Sequence, residues 1–373
     1  MAFENIIGQQ RVRNFFEKAL KSERLSHAFL FVGERGVGKE AIALELAKAL
    51  FCEKSGACSP EPCPNCMRVS KLSHPDLHFI FPAPVKDNKP EKKQEEIRIH
   101  ERQILKSIAA NPYHRVEVWP NPPISIKTIR EIRRKSSYKS FEGRGRIVII
   151  VDAERMSEEA ANSVLKILEE PPEKMYLFLI SSMPNLLLPT ISSRCQLIKF
   201  EPLKVSEIEQ VLIENHNIEQ KKARLTSRVA SGSYRRAIEL LDENLQEMQN
   251  QSLEFFRKSV QSEFIQTLYV DEILKTCQRD LKKIKDLLSL LLIWFRDALV
   301  FRETDEPNQE LLIYAGAFET LNNFTQKFPD ADLQSAVNAI EESLEQISRN
   351  VQINLILIVL LNKLRTLVVS KVL

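Results

Sequence analysis

Glycine is scarce, with nine in 373 residues, and the net charge is only +3 from 53 basic and 50 acidic side chains. The first shortage, beside many leucines, leans the chain towards helix. The second removes the basic excess by which a duplex-gripping domain announces itself. Long apolar runs are missing as well: the greasiest stretches, 287–294 and 353–361, fall well short of the ~18 apolar residues that a membrane helix needs. Met1 to Gln10 holds no basic region followed by an apolar run, so no secretory signal is expected and the protein is read as cytoplasmic. In that compartment six cysteines are metal ligands, reactive thiols or core residues rather than disulfides. The remaining composition, 43% hydrophobic and 28% charged, is that of a soluble globular protein, and the length allows two or three domains.

Five short β-branched or aromatic runs lie at 27–32, 77–81, 146–151, 175–180 and 196–200. They alternate with helix-period segments at 12–20, 39–51, 125–137 and 157–169. In the last of these Ala161, Val164, Leu165 and Leu168 share a face, and Ser157 is placed as the N-cap. Strands alternating with helices, several of them apolar on both faces, predict a parallel sheet covered on two sides. After Pro202 the strand signals stop. Three short helices are expected between 206 and 241 with a break at 231–233, then helical patterns to the end, broken near 303–307 and 328–329. The expected organisation is an α/β domain over 1–203, a small helical domain over 204–244 and an all-α domain over 245–373. One segment breaks the alternation. Residues 82–123 are proline-flanked and rich in mixed charge, which predicts a solvated insertion with a helix near 95–109; a contact with DNA or a partner is the alternative.

The chemistry begins at Gly33-Glu34-Arg35-Gly36-Val37-Gly38-Lys39-Glu40, which follows an expected strand and opens an expected helix, the setting of a phosphate loop. Gly33, Gly36 and Gly38 let backbone N–H groups converge on an anion at a helix N-terminus, and Lys39 is placed to reach the outer phosphates. The eighth position departs from the pattern. An active loop carries Ser or Thr there to ligate magnesium, whereas Glu40 sets a negative charge against the nucleotide. The strand 146–151 ends in Asp152, as a magnesium-supporting Walker B strand does, but the next residue is Ala153 rather than a glutamate that polarises water. Glu154 is expected on the opposite face by strand alternation. Two catalytic positions are therefore lost. Binding of ATP or ADP is left open by the sequence, weak at most and without an ordinary magnesium shell, and cleavage is not expected.

Cys52, Cys58, Cys63 and Cys66 fall within fifteen residues, at intervals of five, four and two. Four thiolates in so short a prolyl loop suit a tetrahedral structural zinc, with free reduced thiols as the alternative. Cys277 is read as helix core.

The run Asn162-Ser163-Val164-Leu165-Lys166-Ile167-Leu168-Glu169-Glu170-Pro171-Pro172 resembles the hallmark of bacterial clamp-loader subunits and their replication factor C relatives. So do Ile7-Gly8-Gln9 with His27-Ala28, and Ser193-Arg194-Cys195. The resemblance covers nearly the whole chain and implies an AAA+ P-loop domain with a five-stranded parallel sheet, a helical lid and a helical collar. The altered loop and missing Walker B glutamate are similar to delta-prime-type members of the DNA polymerase III clamp loader, whose ATPase is the gamma/tau subunit. A catalytically active gamma/tau-like subunit and a free zinc-dependent DNA-binding protein are the alternatives.

What the resemblance implies for single residues is specific. Arg194 would project in trans into a neighbour's nucleotide site, where a fixed guanidinium neutralises charge on a transferring phosphoryl. Arg235, in Gly232-Ser233-Tyr234-Arg235, would read bound nucleotide from the lid, and Ser181 or Ser182 would be the first sensor; structural roles for these stand beside that. The family carries a four-cysteine zinc module where the cysteines fall, though with different spacing. The implied partners are gamma/tau and delta subunits in a hetero-oligomer, with sliding clamp and primed DNA reached through the complex, and no membrane.

Overall fold

All five apolar runs fold as strands: β1 Ala28–Val32, β2 Leu77–Ile80, β3 Arg146–Val151, β4 Met175–Ser181 and β5 Gln196–Lys199. The computed structural model describes residues 3–22, 24–54, 61–86, 89–113, 118–119, 122–136, 139–278, 280–304, 312–314, 318–348 and 351–369. The chain divides into two compact units, Met1–Glu207 with Gly232–Arg236, and Ile208–Ser231 with Ala237–Leu373. Among the described residues no helix is long and apolar enough to cross a membrane.

In the first unit the strands form one parallel sheet in the order β2-β3-β4-β1-β5. It is a five-stranded parallel sheet as expected, with the strand that feeds the phosphate loop set inside it. Parallel neighbours cannot be joined by tight turns, so helices make the crossovers. After α1 Gln10–Lys21, which precedes β1, they are α2 Lys39–Phe51, α3 Pro64–Ser70, α4 Glu91–Ala110, α5 Ile126–Ser136, α6 Glu158–Glu169 and the single turn α7 Pro189–Ser192. β3 is buried along its whole length, as β-branched residues in a doubly covered strand should be. Alternation splits the sheet's two faces. Ala28, Leu30, Val148, Ile150, Leu177 and Leu179 pack with Ile129, Ile132, Val164 and Leu168 of α5 and α6. Phe29, Phe31 and Phe178 face the other way and meet Phe16 of α1 and Phe200, with Phe31 stacked on Phe178 at 5.9 Å. Ser157 caps α6 as expected, its hydroxyl accepting the Ala160 amide at 3.2 Å.

The turn into β3 depends on Gly145. Its φ is +103°, and a Cβ there would collide with the backbone carbonyl of Lys174, the oxygen that accepts the Arg146 amide at 3.0 Å. Gly145→Ala is therefore expected to destabilise the first unit by roughly 3 kcal/mol, combining about 1–2 for the left-handed backbone with about 1–3 for overpacking. Urea denaturation measures it; a loss under about 1 kcal/mol would mean the turn relaxes freely.

The 82–123 insertion is more than solvated surface. α4 begins at Glu91, four residues ahead of expectation, and Ile97, Ile104 and Ile108 are buried along it. Lys86 pairs with Glu101 at 2.6 Å. Asn111 Oδ1 then accepts the Tyr113 amide at 3.0 Å in an Asx turn that directs a tyrosine inward.

The three short helices expected before 241 are α8 Val205–His216, α9 Gln220–Val229 and α10 Tyr234–Leu241, with Ser231 and Gly232 at positive φ between the last two. The second unit continues with α11 Leu245–Ser259, α12 Glu263–Thr276, α13 Leu281–Glu303, α14 Phe318–Lys327, α15 Leu333–Ser348 and α16 Ile353–Val369. Between its charged ends α13 carries an uncharged stretch over 287–295, burying Leu287, Leu288, Leu291, Trp294 and Phe295. Trp294 meets Phe324 at 4.8 Å and Phe256 meets Phe295 at 5.2 Å. Buried Asp297 accepts the amides of Ile313 and Tyr314 at 2.9 and 2.7 Å; burial still lifts its carboxyl above the usual range. α16 buries Leu357, Leu360, Leu361 and Leu364 but leaves Leu355 and Val359 exposed.

Candidate functional site

The phosphate-loop residues converge where β1 hands over to α2. Gly38 is the N-cap of α2 at φ +100°, and Gly36 sits at φ +77°. A side chain at Gly36 would strike the Cβ of Arg235 and the hydroxyl of Ser233; one at Gly38 would press on the ring of Tyr113 at 2.9 Å. The segment 232–236 is thus laid directly on the loop. Its Tyr234 amide donates to the Gly36 carbonyl at 3.1 Å, and the Ser233 hydroxyl donates to the Arg35 carbonyl at 2.8 Å. From the other side Gln9 Nε2 donates to the carbonyls of Val37 at 3.1 Å and Glu201 at 2.6 Å.

The charges are largely satisfied from within. Lys39 is 2% exposed, and its ammonium donates to the carbonyl of Gly33 at 2.7 Å and to that of Glu34. Burial lowers its pKa, against the raising pull of Glu40, Asp152 and Glu154. Asp152, buried at the end of β3, stands 3.6 Å from the Arg35 guanidinium. A cation from the loop itself therefore faces the acid that would support magnesium.

The expectation for Glu154 is corrected. Strand alternation does not extend to it, because Asp152 takes a left-handed conformation (φ 51°, ψ 50°) and Ala153–Arg155 winds into a 3-10 turn. The turn aims Glu154 at the end of β4, where its Oε1 accepts from the Ser182 amide at 3.3 Å and the Ser182 hydroxyl at 3.0 Å. Ser181 is used locally, its hydroxyl accepting the Met183 amide at 3.1 Å. Of the two serines after β4, Ser182 is the one bound to Glu154. Ala153 is buried and presents only a methyl group.

The cysteines gather at the far end of α2, about 18 Å from Lys39 at 1.5 Å per residue. Cys52 follows the last turn of α2, Cys63 is the N-cap of α3 and Cys66 lies within it. All three are buried, with sulfurs within 4.8 Å of one another. Arg144 donates to the Cys52 carbonyl at 2.7 Å and Asn65 to the Phe51 carbonyl at 3.3 Å, which fixes the loop ends. Cys58 lies outside the described residues. Three buried thiols at this separation form a metal-compatible trio. Cys277 is buried in the second unit, as expected of core.

Arg194 stands apart from both clusters. Its guanidinium is half-exposed, pairs with Glu169 at 2.9 Å and donates to the Thr190 carbonyl at 3.1 Å. Neighbouring Cys195 is partly buried, and burial pushes its thiol up to about 12. Sequence reasoning missed Arg35 and Tyr113. The first was legible as a loop cation near an acid; nothing local marked the second.

A family model described as DNA polymerase III, delta subunit, matches residues 8–204. The chain is 28% identical over 351 residues to DNA polymerase III subunit delta' of Bacillus subtilis, covering 92% of each. It is 29% identical over 247 residues to DNA polymerase III subunit tau of Escherichia coli, covering 65% of this chain and 32% of that protein, so it spans about a third of the latter's length. Among solved structures, a DNA polymerase III gamma-subunit-related protein of Thermotoga maritima aligns at TM-score 0.35 and 16% identity over 94% of this chain and 99% of its own. RuvB of Thermotoga maritima, a Holliday junction branch migration motor, aligns at TM-score 0.39 and 14% identity over 67% of this chain and 65% of its own.

Proposed function

The chain belongs to the DNA polymerase III delta-subunit family, and from that premise we propose that it is a stationary, delta'-type subunit of the polymerase III clamp loader. The observation that carries this is an asymmetry between two cationic groups. Lys39 is buried on its own loop carbonyls, whereas Arg194 is half-exposed on a surface pair. A catalytic loop needs its lysine free for phosphate; a finger acting in trans needs its arginine within a neighbour's reach.

In this role the subunit does not turn over ATP. Glu40 replaces the magnesium hydroxyl, Ala153 replaces the general base, and Arg35 holds Asp152. Arg194 enters the ATP site of an adjacent gamma/tau subunit, where its planar fork neutralises charge on the transferring phosphoryl. Residues 204–244 serve as the lid, with Arg235 against the loop, and 245–373 as the collar that joins gamma/tau and delta subunits. Sliding clamp and primed DNA are engaged through the assembled ring. Cys52, Cys58, Cys63 and Cys66 hold a zinc ion that ties the end of α2 to α3 and supplies no chemistry of its own.

A self-sufficient ATPase has one feature in its favour: Glu154 brings a carboxylate to the Ser182 side of the site. Turnover decides between the two. The purified chain with clamp and primed DNA is expected to hydrolyse ATP no faster than background, and the complex rebuilt with gamma/tau and delta to do so readily. Robust hydrolysis by the chain alone would overturn the stationary role.

A further inference from the structure

We propose that Tyr113 is a built-in stand-in for a nucleotide base: the 82–123 insertion seats it beside the phosphate loop, and a nucleotide enters only when it leaves. This deepens the reading of Gly33–Lys39 as a phosphate loop and rests on it.

Tyr113 is 8% exposed, although it follows a charged helix. Around the position of a Gly38 Cβ its Cε1 lies at 2.9 Å, its hydroxyl at 3.3 Å and its Cζ at 3.4 Å, so the ring edge rests on the residue that caps α2. That cap is where a phosphate loop and helix N-terminus gather an anion. A nucleotide with its phosphates there has its base within one sugar's length of Gly38. The tyrosine occupies that neighbourhood with the attributes of a base. It is a flat aromatic body, it meets Tyr234 edge-on at 5.2 Å and 84°, and its hydroxyl accepts the backbone N–H of Ile7 at 2.7 Å. An acceptor on an aromatic edge facing a main-chain donor is the contact a base nitrogen makes.

The surroundings are those of a pocket kept filled. Remove the ring, and what remains is a floor at Gly38, a wall at Tyr234 and an unsatisfied N–H at Ile7. A partly buried N–H left unpaired carries a cost, so the space favours an occupant with an acceptor. The Asx turn at Asn111 and the buried isoleucines of α4 hold the tyrosine in place. The ligand class is a nucleoside di- or triphosphate, competing with the insertion for one space.

Fluorescent ADP titrated into the full chain tests this, with inorganic pyrophosphate as a second probe lacking a base. If the ring is seated about 90% of the time, Tyr113→Ala tightens ADP about tenfold and leaves pyrophosphate within about twofold. Tyr113→Phe keeps the ring but loses the Ile7 contact, and about threefold tightening is expected. Should the alanine variant fail to fold, the phenylalanine variant decides, and unchanged ADP affinity overturns the proposal. Weaker ADP binding by Tyr113→Ala would make the ring a stacking wall, and an equal gain for pyrophosphate would make it a block on the loop. Either result overturns a base stand-in, as does an absence of binding by every variant. None of these outcomes touches Arg194, which is judged by hydrolysis in the assembled complex.

Discussion

Arg194→Ala is expected to slow hydrolysis at the one ATP site it serves by on the order of 10³-fold or more, while nucleotide still binds there. The size follows from where the charge is needed. A guanidinium that contacts the phosphoryl only as negative charge spreads over its oxygens stabilises the transition state and leaves the ground state nearly alone. The fall therefore belongs in the rate constant rather than in the affinity. The folded monomer should be indifferent, since exposed substitutions usually shift stability by about 0.5 kcal/mol or less. Within this chain Arg194 pairs with Glu169 across a surface where both side chains are 40–50% exposed. Such a pair is worth about 0–1 kcal/mol, so a neighbour's phosphates outcompete it readily. Arg194→Lys keeps the charge but not the planar fork and should recover only part of the rate. Single-turnover hydrolysis in the reconstituted complex is the measurement, because other sites would mask the loss in the steady state. An unchanged rate constant removes the finger.

Much of the first unit was legible because its signals are local. β3 runs from Arg146 to Val151 as its β-branched run predicts, and α2 starts at Lys39 because the glycine before it adopts the left-handed cap. Ser157 announced α6 in the same way. What escaped was set by backbone exceptions and by distance along the chain. Glu154 was misplaced because alternation assumes extended backbone, and Asp152 at φ 51° ends it one residue too soon. Tyr113 was invisible because its seat is built from Ile7, Gly38 and Tyr234, more than seventy residues away in either direction. The insertion's charge content described its outer face, while three isoleucines over three turns of α4 fixed its inner one.

Three of the four cysteines grouped by their spacing, Cys52, Cys63 and Cys66, come together in the structure and carry the second large effect. Cys66→Ser is expected to remove close to one bound zinc per chain and to lower the melting midpoint of the first unit by roughly 6–12 °C. A metal tie that closes the 15-residue stretch from Cys52 to Cys66 restricts the unfolded chain by about 3 kcal/mol on loop-closure grounds. At about 2–4 °C per kcal/mol for a unit of this size, that becomes the stated shift. The geometry suits the ion: tetrahedral Zn–S bonds of about 2.3 Å separate sulfurs by roughly 3.8 Å, inside the 4.8 Å that spans the trio. Electrostatics makes the same demand. Burial pushes the Cys66 thiol up, and the neighbouring Cys63 and Cys52 push it further, so the site disfavours a bare thiolate at Cys66. A dication reverses this by pairing with each sulfur, and it releases protons as it binds. Cys195→Ser, outside the cluster, should leave both zinc content and melting midpoint unchanged. Elemental analysis beside thermal melts decides: a wild-type chain that is metal-free, folded and as heat-stable as Cys66→Ser would reduce the trio to ordinary core packing.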